Sequence, residues 1–340
     1  LFPLRRRPRT RTDPGLPTPG SASVPAIRAV GLRKTYPGVE AVRGIDLTVA
    51  QGETFGFLGP NGCGKTTTIA MLCTLVLPTA GRAEVCGHDT RTAPGAVRRS
   101  IGLVLQESTL DPELTVEENL RFHGDLYGLP RAGLPHRVCE VLDLVGLADR
   151  RASAVRTLSG GMRRRLEIAR GILHRPRVLF LDEPAIGLDP HARARVWAHL
   201  GAVSRHEGTT LFLTTHYLDE ADHCDRVAIV DSGRVVTEGP PAELKAVLGA
   251  DRVELRTADN PAAARALRER FGLTAAAAGD SLTLRAEDAA SLVPRLCADL
   301  GVPVHAVSVT RPSLDDVFMH HTGHRVAASG SAEPAPGAAT

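Results

Sequence analysis

The stretch Gly59-Pro60-Asn61-Gly62-Cys63-Gly64-Lys65-Thr66 lies between an apolar, strand-like run, Thr54 to Leu58, and a helix-like run, Thr66 to Leu75. Its three glycines let the backbone turn tightly and aim successive N–H groups inward, and the helix that follows adds its positive N-terminal end. A polyphosphate is cradled in such a loop without bulky side chains in the way. In that setting Lys65 reaches the β- and γ-phosphates, and Thr66 ligates Mg²⁺. Only Lys34, Lys65 and Lys245 are lysines among 41 Lys and Arg, so the match owes nothing to a lysine-rich composition.

Two further stretches supply what a phosphate cradle lacks. Val178 to Leu181 is an apolar strand that ends in Asp182-Glu183, where the metal-holding Asp of a phosphate-loop ATPase belongs. Asp182 would hold Mg²⁺ directly or through water, and Glu183 would orient or deprotonate the attacking water. Alone, the pair reads as a solvated acidic turn; coupled to the loop, the catalytic reading prevails. Leu158-Ser159-Gly160-Gly161-Met162 opens an amphipathic helix rich in Arg163, Arg164 and Arg165. By itself it is a helix cap that also makes an anion site.

Taken together, with the signature lying between the loop upstream and Asp182 downstream, the motifs resemble the ATP-binding cassette (ABC) family over about Ile27 to Leu248, with Met162 where a Gln is common. The resemblance implies that Tyr36 stacks on adenine and that Gly59 through Thr67 (Gly59, Pro60, Asn61, Gly62, Cys63, Gly64, Lys65, Thr66, Thr67) bind ATP. It implies that Gln106 contacts Mg²⁺ and the lytic water and senses a membrane partner, and that His216 contacts the γ-phosphate. Gly187, Leu188 and Asp189 match the dimer-contact loop, with Ala185 where a Thr is usual. Leu158 through Met162 (Leu158, Ser159, Gly160, Gly161, Met162) match the signature that meets ATP held by another copy. Hydrolysis is thus expected to need two chains arranged head to tail.

The rest of the chain fits an α/β fold: a P-loop ABC-type nucleotide-binding domain, with a mixed sheet and a helical subdomain, plus a small ferredoxin-like domain. Strands at 26–36, 42–49, 101–105, 178–181 and 210–214 alternate with helices near 160–173 and 191–207, a pattern that calls for a parallel sheet covered on both faces. Beyond about Leu248, segments at 252–257, 261–271, 273–277, 281–285, 289–300 and 304–310 alternate as βαββαβ, and a short helix over 313–319 follows. The expected boundaries are a basic arm, 1–25; the ATPase domain, 26–248, with its helical subdomain about 107–157; an accessory domain, 249–322; and a disordered tail, 323–340.

Charge and composition narrow the function. The net charge of +3 is carried by the arm, where Arg5, Arg6, Arg7, Arg9 and Arg11 face only Asp13, leaving the remainder at −1. That near-neutral body does not indicate a globally basic surface, and no nucleic-acid partner is expected. No apolar run approaches the ~20 residues of a membrane helix, so a separately encoded permease is expected, with this chain cytoplasmic and peripheral on the inner face of the cell membrane. Six scattered Cys without a C-x-x-C pair suit reduced thiols. Cys63, beside a helix N-terminus, is either a thiol of lowered pKa whose alkylation blocks ATP binding, with ATP protecting it, or a buried and inert one.

The ending Arg311-Pro312-Ser313-Leu314-Asp315-Asp316-Val317-Phe318 is similar to that of daunorubicin-resistance exporter ATPases, as is Glu107 to Asn119. The expected function is therefore ATP hydrolysis that powers efflux of a drug or antibiotic-like molecule, with ATP and Mg²⁺ as cofactors and a homodimer as the working form. An importer ATPase and a soluble cassette ATPase outside transport are the alternatives.

Overall fold

The computed structural model describes residues 24–249 and 251–324, so all but the last two residues of the basic arm and most of the expected tail lie outside the described residues. Strands β1 (Ile27–Tyr36) and β2 (Val39–Val49) form a hairpin at Pro37-Gly38, and β3 (Thr54–Leu58) leads through the phosphate loop into helix α1 (Lys65–Leu72). β4 (Ala80–Val85), β5 (His88–Asp89) and α2 (Pro94–Ser100) precede β6 (Ile101–Val104). Helices α3 (Val116–Leu126), α4 (Leu134–Leu144) and α5 (Gly160–Ile172) follow, then β7 (Val178–Asp182), α6 (Pro190–Glu207) and β8 (Thr210–Thr215). β9 (Arg226–Asp231), β10 (Arg234–Gly239) and α7 (Pro241–Val247) complete the larger body.

Its central sheet runs β10-β9-β3-β8-β7-β6, parallel from β9 to β6 and antiparallel at the β10 edge. Strand alternation divides the buried side chains between its faces. Phe55, Phe57, Phe180 and Phe212 point to one side, where they meet α1, α2 and a second, antiparallel sheet of order β2-β1-β4-β5. Leu179, Leu181, Leu211 and Leu213 point to the other, against α3, α4, α5 and α6. Both faces are covered as expected, but one cover is largely a sheet. Phe212 stacks at 5.7 Å on Phe55 and lies 5.4 Å from Phe180, and burying each such ring contributes roughly 1.5–3 kcal/mol.

The helical stretch is pinned to this body by Arg137 of α4. Its guanidinium donates to the carbonyls of Ile172 (2.7 Å) and Leu173 (3.0 Å) at the end of α5, and to Glu207 at the end of α6 (2.7 Å).

The remaining elements are β11 (Asp251–Thr257), α8 (Asn260–Phe271), β12 (Ala276–Ala278), β13 (Ser281–Ala286), α9 (Ala289–Asp299), β14 (Val304–Thr310) and α10 (Leu314–Thr322). The sheet order β12-β13-β11-β14, all antiparallel, is the one a βαββαβ chain makes when both helices cover one face. Val253, Leu255, Leu267, Leu282, Leu284 and Leu296 form its own core. Helix α10 leaves this small module. Ser313 and Asp316 close a capping box at its start, and Leu314, Val317 and Phe318 are buried in the larger body's core beside α7. The exporter-like ending is thus a docking helix.

Candidate active site

The phosphate loop joins the C-terminal end of β3 to α1. Gly64 has φ +103° and a Cβ there would fall 2.5 Å from the Ala41 carbonyl oxygen, while a Cβ on Gly59 would fall 2.2 Å from that of Val230. Both positions therefore exclude side chains. Gly64 stands as the N-cap of α1 without a side-chain cap, so the first amides of the helix are left for an anion. Lys65, only 5% exposed, donates from Nζ to the carbonyls of Gly59 (2.7 Å) and Pro60 (3.0 Å).

The carboxylates arrive from the next strands. Asp182 Oδ1 accepts from Thr66 Oγ1 at 3.3 Å and from Thr214 Oγ1 at 2.5 Å, because β7 and β8 pair in parallel with Asp182 opposite Thr214. Glu183 lies one residue past β7, 8% exposed, with Oε1 3.7 Å from Lys65 Nζ and Oε2 3.1 Å from His216 Nδ1. Its φ of +46° is left-handed, a conformation that non-glycine residues keep only when their surroundings enforce it. Asn61, Gly62, Thr66, Thr67, Gln106 and Glu183 line one open cleft of about 300 Å³, together with Lys65.

The other candidates lie outside this cleft. Ser159 and Gly160 are exposed at the start of α5, where Ser159 Oγ accepts the Met162 N–H at 3.3 Å. Leu158 is buried beneath them. A Cβ on Gly161 would meet Ala192 at 3.0 Å and one on Gly160 would meet Leu188 at 3.9 Å, so the signature residues and the Gly187-Leu188-Asp189 loop form a single surface. Asp189 caps α6, and the Ala192 and His191 amides it accepts hold its carboxyl below the usual range. Tyr36 is 39% exposed at the end of β1, with Lys34 Nζ 5.0 Å from its ring centroid.

Cys63 is the buried thiol of the two alternatives, without the lowered pKa. It is 4% exposed, and burial pushes its thiol up, outweighing the lowering by Lys65 and by its amide. All six cysteines are free. Thr214 is a site residue that sequence reading missed; its only signal is its place at the end of an apolar strand. Glu220 is another buried group near the site, 3% exposed and with its carboxyl pushed up by burial; it lies 3.7 Å from Arg193, whose guanidinium covers the Tyr217 ring beside His216.

The donor set of Thr66, Asp182 and Gln106 consists of hard oxygen atoms, which fits Mg²⁺. Among the described residues no cluster of three or more His, Cys, Asp or Glu could cage a metal by itself. The set thus suits an ion that completes its shell with phosphate oxygens.

Comparison with known proteins bears on this arrangement. Residues 42–186 match the ABC transporter family model, and residues 239–322 match the C-terminal domain of ATP-binding protein DrrA1-3-like. The chain is 45% identical over 304 residues to daunorubicin resistance ATP-binding protein DrrA3 of Streptomyces coeruleorubidus, covering 88% of this chain and 96% of that protein. It is 40% identical over 320 residues to Nod factor export ATP-binding protein I of Ralstonia nicotianae, covering 91% and 98%. Among solved structures, cbiO1 from Clostridium perfringens, part of the ABC transporter complex cbiONQ, superposes with a TM-score of 0.62 at 27% identity, covering 73% of this chain and 96% of that one. A dimeric ATP-binding cassette bound to ADP and Pi superposes at 0.58 with 26% identity, covering 63% and 98%. With a phosphate cradle, a carboxylate pair and a separate signature surface on one such fold, this chain belongs to the ATP-binding subunits of ABC transporters.

Proposed function

We propose that the chain hydrolyses ATP as a head-to-tail homodimer, and so powers efflux of a drug-like small molecule through a separately encoded permease. The observation that carries the reading is the split of the site: Lys65, Thr66, Gln106 and Glu183 share one cleft, while Ser159 and Gly160 face outward on another surface. A second copy presenting Ser159 and Gly161 to that cleft completes it. The exporter reading is supported by the C-terminal match and by the daunorubicin-resistance and Nod factor export relatives. No helix among the described residues is long and apolar enough to cross a membrane, which agrees with a peripheral subunit at the inner face. Phe122, Leu126 and Tyr127 are exposed on and after α3, an apolar surface suited to a permease segment.

In this reading the amides of the phosphate loop and Lys65 bind the phosphates, and Tyr36 supports the base. Thr66, Asp182 and Gln106 would hold Mg²⁺. When bound, the ion neutralises charge that develops on the phosphate oxygens. Glu183 takes the proton of the attacking water, with His216 holding its carboxylate in place. Glu183→Gln should form an ATP-dependent dimer by size exclusion and lose roughly 10²–10⁴-fold in turnover. A monomer under ATP and Mg²⁺ would sink the two-copy mechanism. Inverted vesicles carrying the chain and its permease should take up daunorubicin with ATP, and equal uptake without ATP would refute the exporter reading.

A further inference from the structure

Helix α5, which starts at the signature, also sends an arginine into the catalytic body. Arg164 is 9% exposed, and its guanidinium bonds to main-chain carbonyls. Nε donates to Pro184 O at 2.8 Å, Nη2 to Asp182 O at 2.9 Å and to Glu183 O at 3.1 Å, and Nη1 to Leu105 O at 2.5 Å. The first three carbonyls frame the left-handed turn that presents Glu183. The fourth belongs to the residue before Gln106, just past the end of β6, the strand that pairs with β7. A buried guanidinium is tolerated when its N–H groups are satisfied, and a planar fork can span several carbonyls at once.

We propose that Arg164 is a positioning residue for ATP hydrolysis: it fixes the Glu183 turn and the Gln106 strand end from the same helix that carries the signature. The proposal rests on the reading of Glu183 as the general base. Two further residues on the inward side of α5 extend the grip. Glu167, 1% exposed, accepts from Ser108 Oγ and Thr109 N, each at 2.8 Å, and Arg170 donates to Glu167 at 2.9 Å and to Thr109 O at 3.1 Å. An axial shift of α5 therefore pulls on residues 105–109 and 182–184 together. A facing nucleotide that seats Ser159 would set the geometry of the chain's own base and Gln106.

The test uses full-length Arg164→Lys and Arg164→Met. Lysine keeps the charge but cannot span the four carbonyls. Affinity for a fluorescent ATP analogue should stay within about twofold of wild type, while kcat at saturating ATP and Mg²⁺ falls roughly 10- to 100-fold, with Lys less impaired than Met. In a Glu183→Gln background, Arg164→Lys should bring a clearly smaller fold loss in single-turnover rate than in wild type, because the part of its effect that runs through the base is already missing. Wild-type kcat in Arg164→Lys, losses that add in the double variant, or failure of both variants to bind nucleotide would each overturn the proposal, the last by assigning Arg164 to folding alone. A Glu183→Gln variant with wild-type turnover would instead remove the base assignment. The two failures are thereby distinguishable.

Discussion

The phosphate cleft and the signature surface are both glycine-framed helix starts, yet they are built in opposite ways. At the cleft, α1 begins at Gly64 without a side-chain cap and its amides stay open beside a nearly buried lysine. At the signature, α5 begins at an exposed Ser159 whose hydroxyl already accepts a helix amide. The first gathers its phosphate-facing residues within one chain, and the second is an outward-facing edge. Affinity for nucleotide should therefore reside within the protomer, and the capacity to turn it over between protomers.

Removing the cleft's charge partner should have the largest effect. Lys65→Ala deletes a charge-assisted contact worth roughly 1.5–3 kcal/mol, so ATP should bind about 10- to 100-fold more weakly to the monomer in equilibrium titration. Unchanged affinity would erase the contrast. Ser159→Ala sharpens it from the other side. In mixed dimers the facing nucleotide should be hydrolysed about tenfold more slowly, on the scale of one lost hydrogen-bond contact, with monomer affinity unaltered. Loss of the cap costs about 1 kcal/mol of stability as well, so the isolated chain's melting curve is the control. A smaller effect is expected at Phe122 and Leu126, exposed on α3. Changing both to Asp should leave basal hydrolysis intact and abolish its stimulation by the permease; retained stimulation would place the permease elsewhere. The smallest concerns Cys63. Its raised thiol pKa leaves little thiolate at neutral pH, and thiolate increases only as pH climbs past the ordinary thiol range. Iodoacetamide should therefore label the exposed Cys297 before Cys63, which mass spectrometry of the modified peptides would check.

What could be read beforehand divides along physical lines. The phosphate loop, Asp182-Glu183 and the strands around them were legible because short, fully apolar runs ending in fixed polar residues have few other uses. The βαββαβ order past Leu248 was legible from periodicity alone. β4 and β10 were not. Ala80–Val85 and Arg234–Gly239 are antiparallel strands whose mixed polar, small and exposed residues lack a clean alternation. β9 is apolar, yet it follows a 3₁₀ turn, Leu218–His223, that hides its start. The role of Arg164 was not legible because nothing in a run of three arginines on an amphipathic helix marks one of them as buried, and only the helix's orientation reveals that the middle one points inward. Cys63 stayed undecided for a related reason: a helix N-terminus lowers a thiol pKa, but burial acts in the opposite direction and its extent is a tertiary property.

The return of α10 to the larger body changes how the small module must be regarded. Because Leu314, Val317 and Phe318 are seated in the main core, next to the α7 stem by which the chain departs, the module is fastened by two adjacent posts. A pendant on one tether swings freely; a piece held at both ends passes torque to whatever anchors it. Cutting the chain after α7 would accordingly strip three large side chains from the ATPase core and leave their seats open to water, at a cost of several kcal/mol. A truncated protein that hydrolyses poorly would then report damage to that core as much as the loss of anything the module itself does.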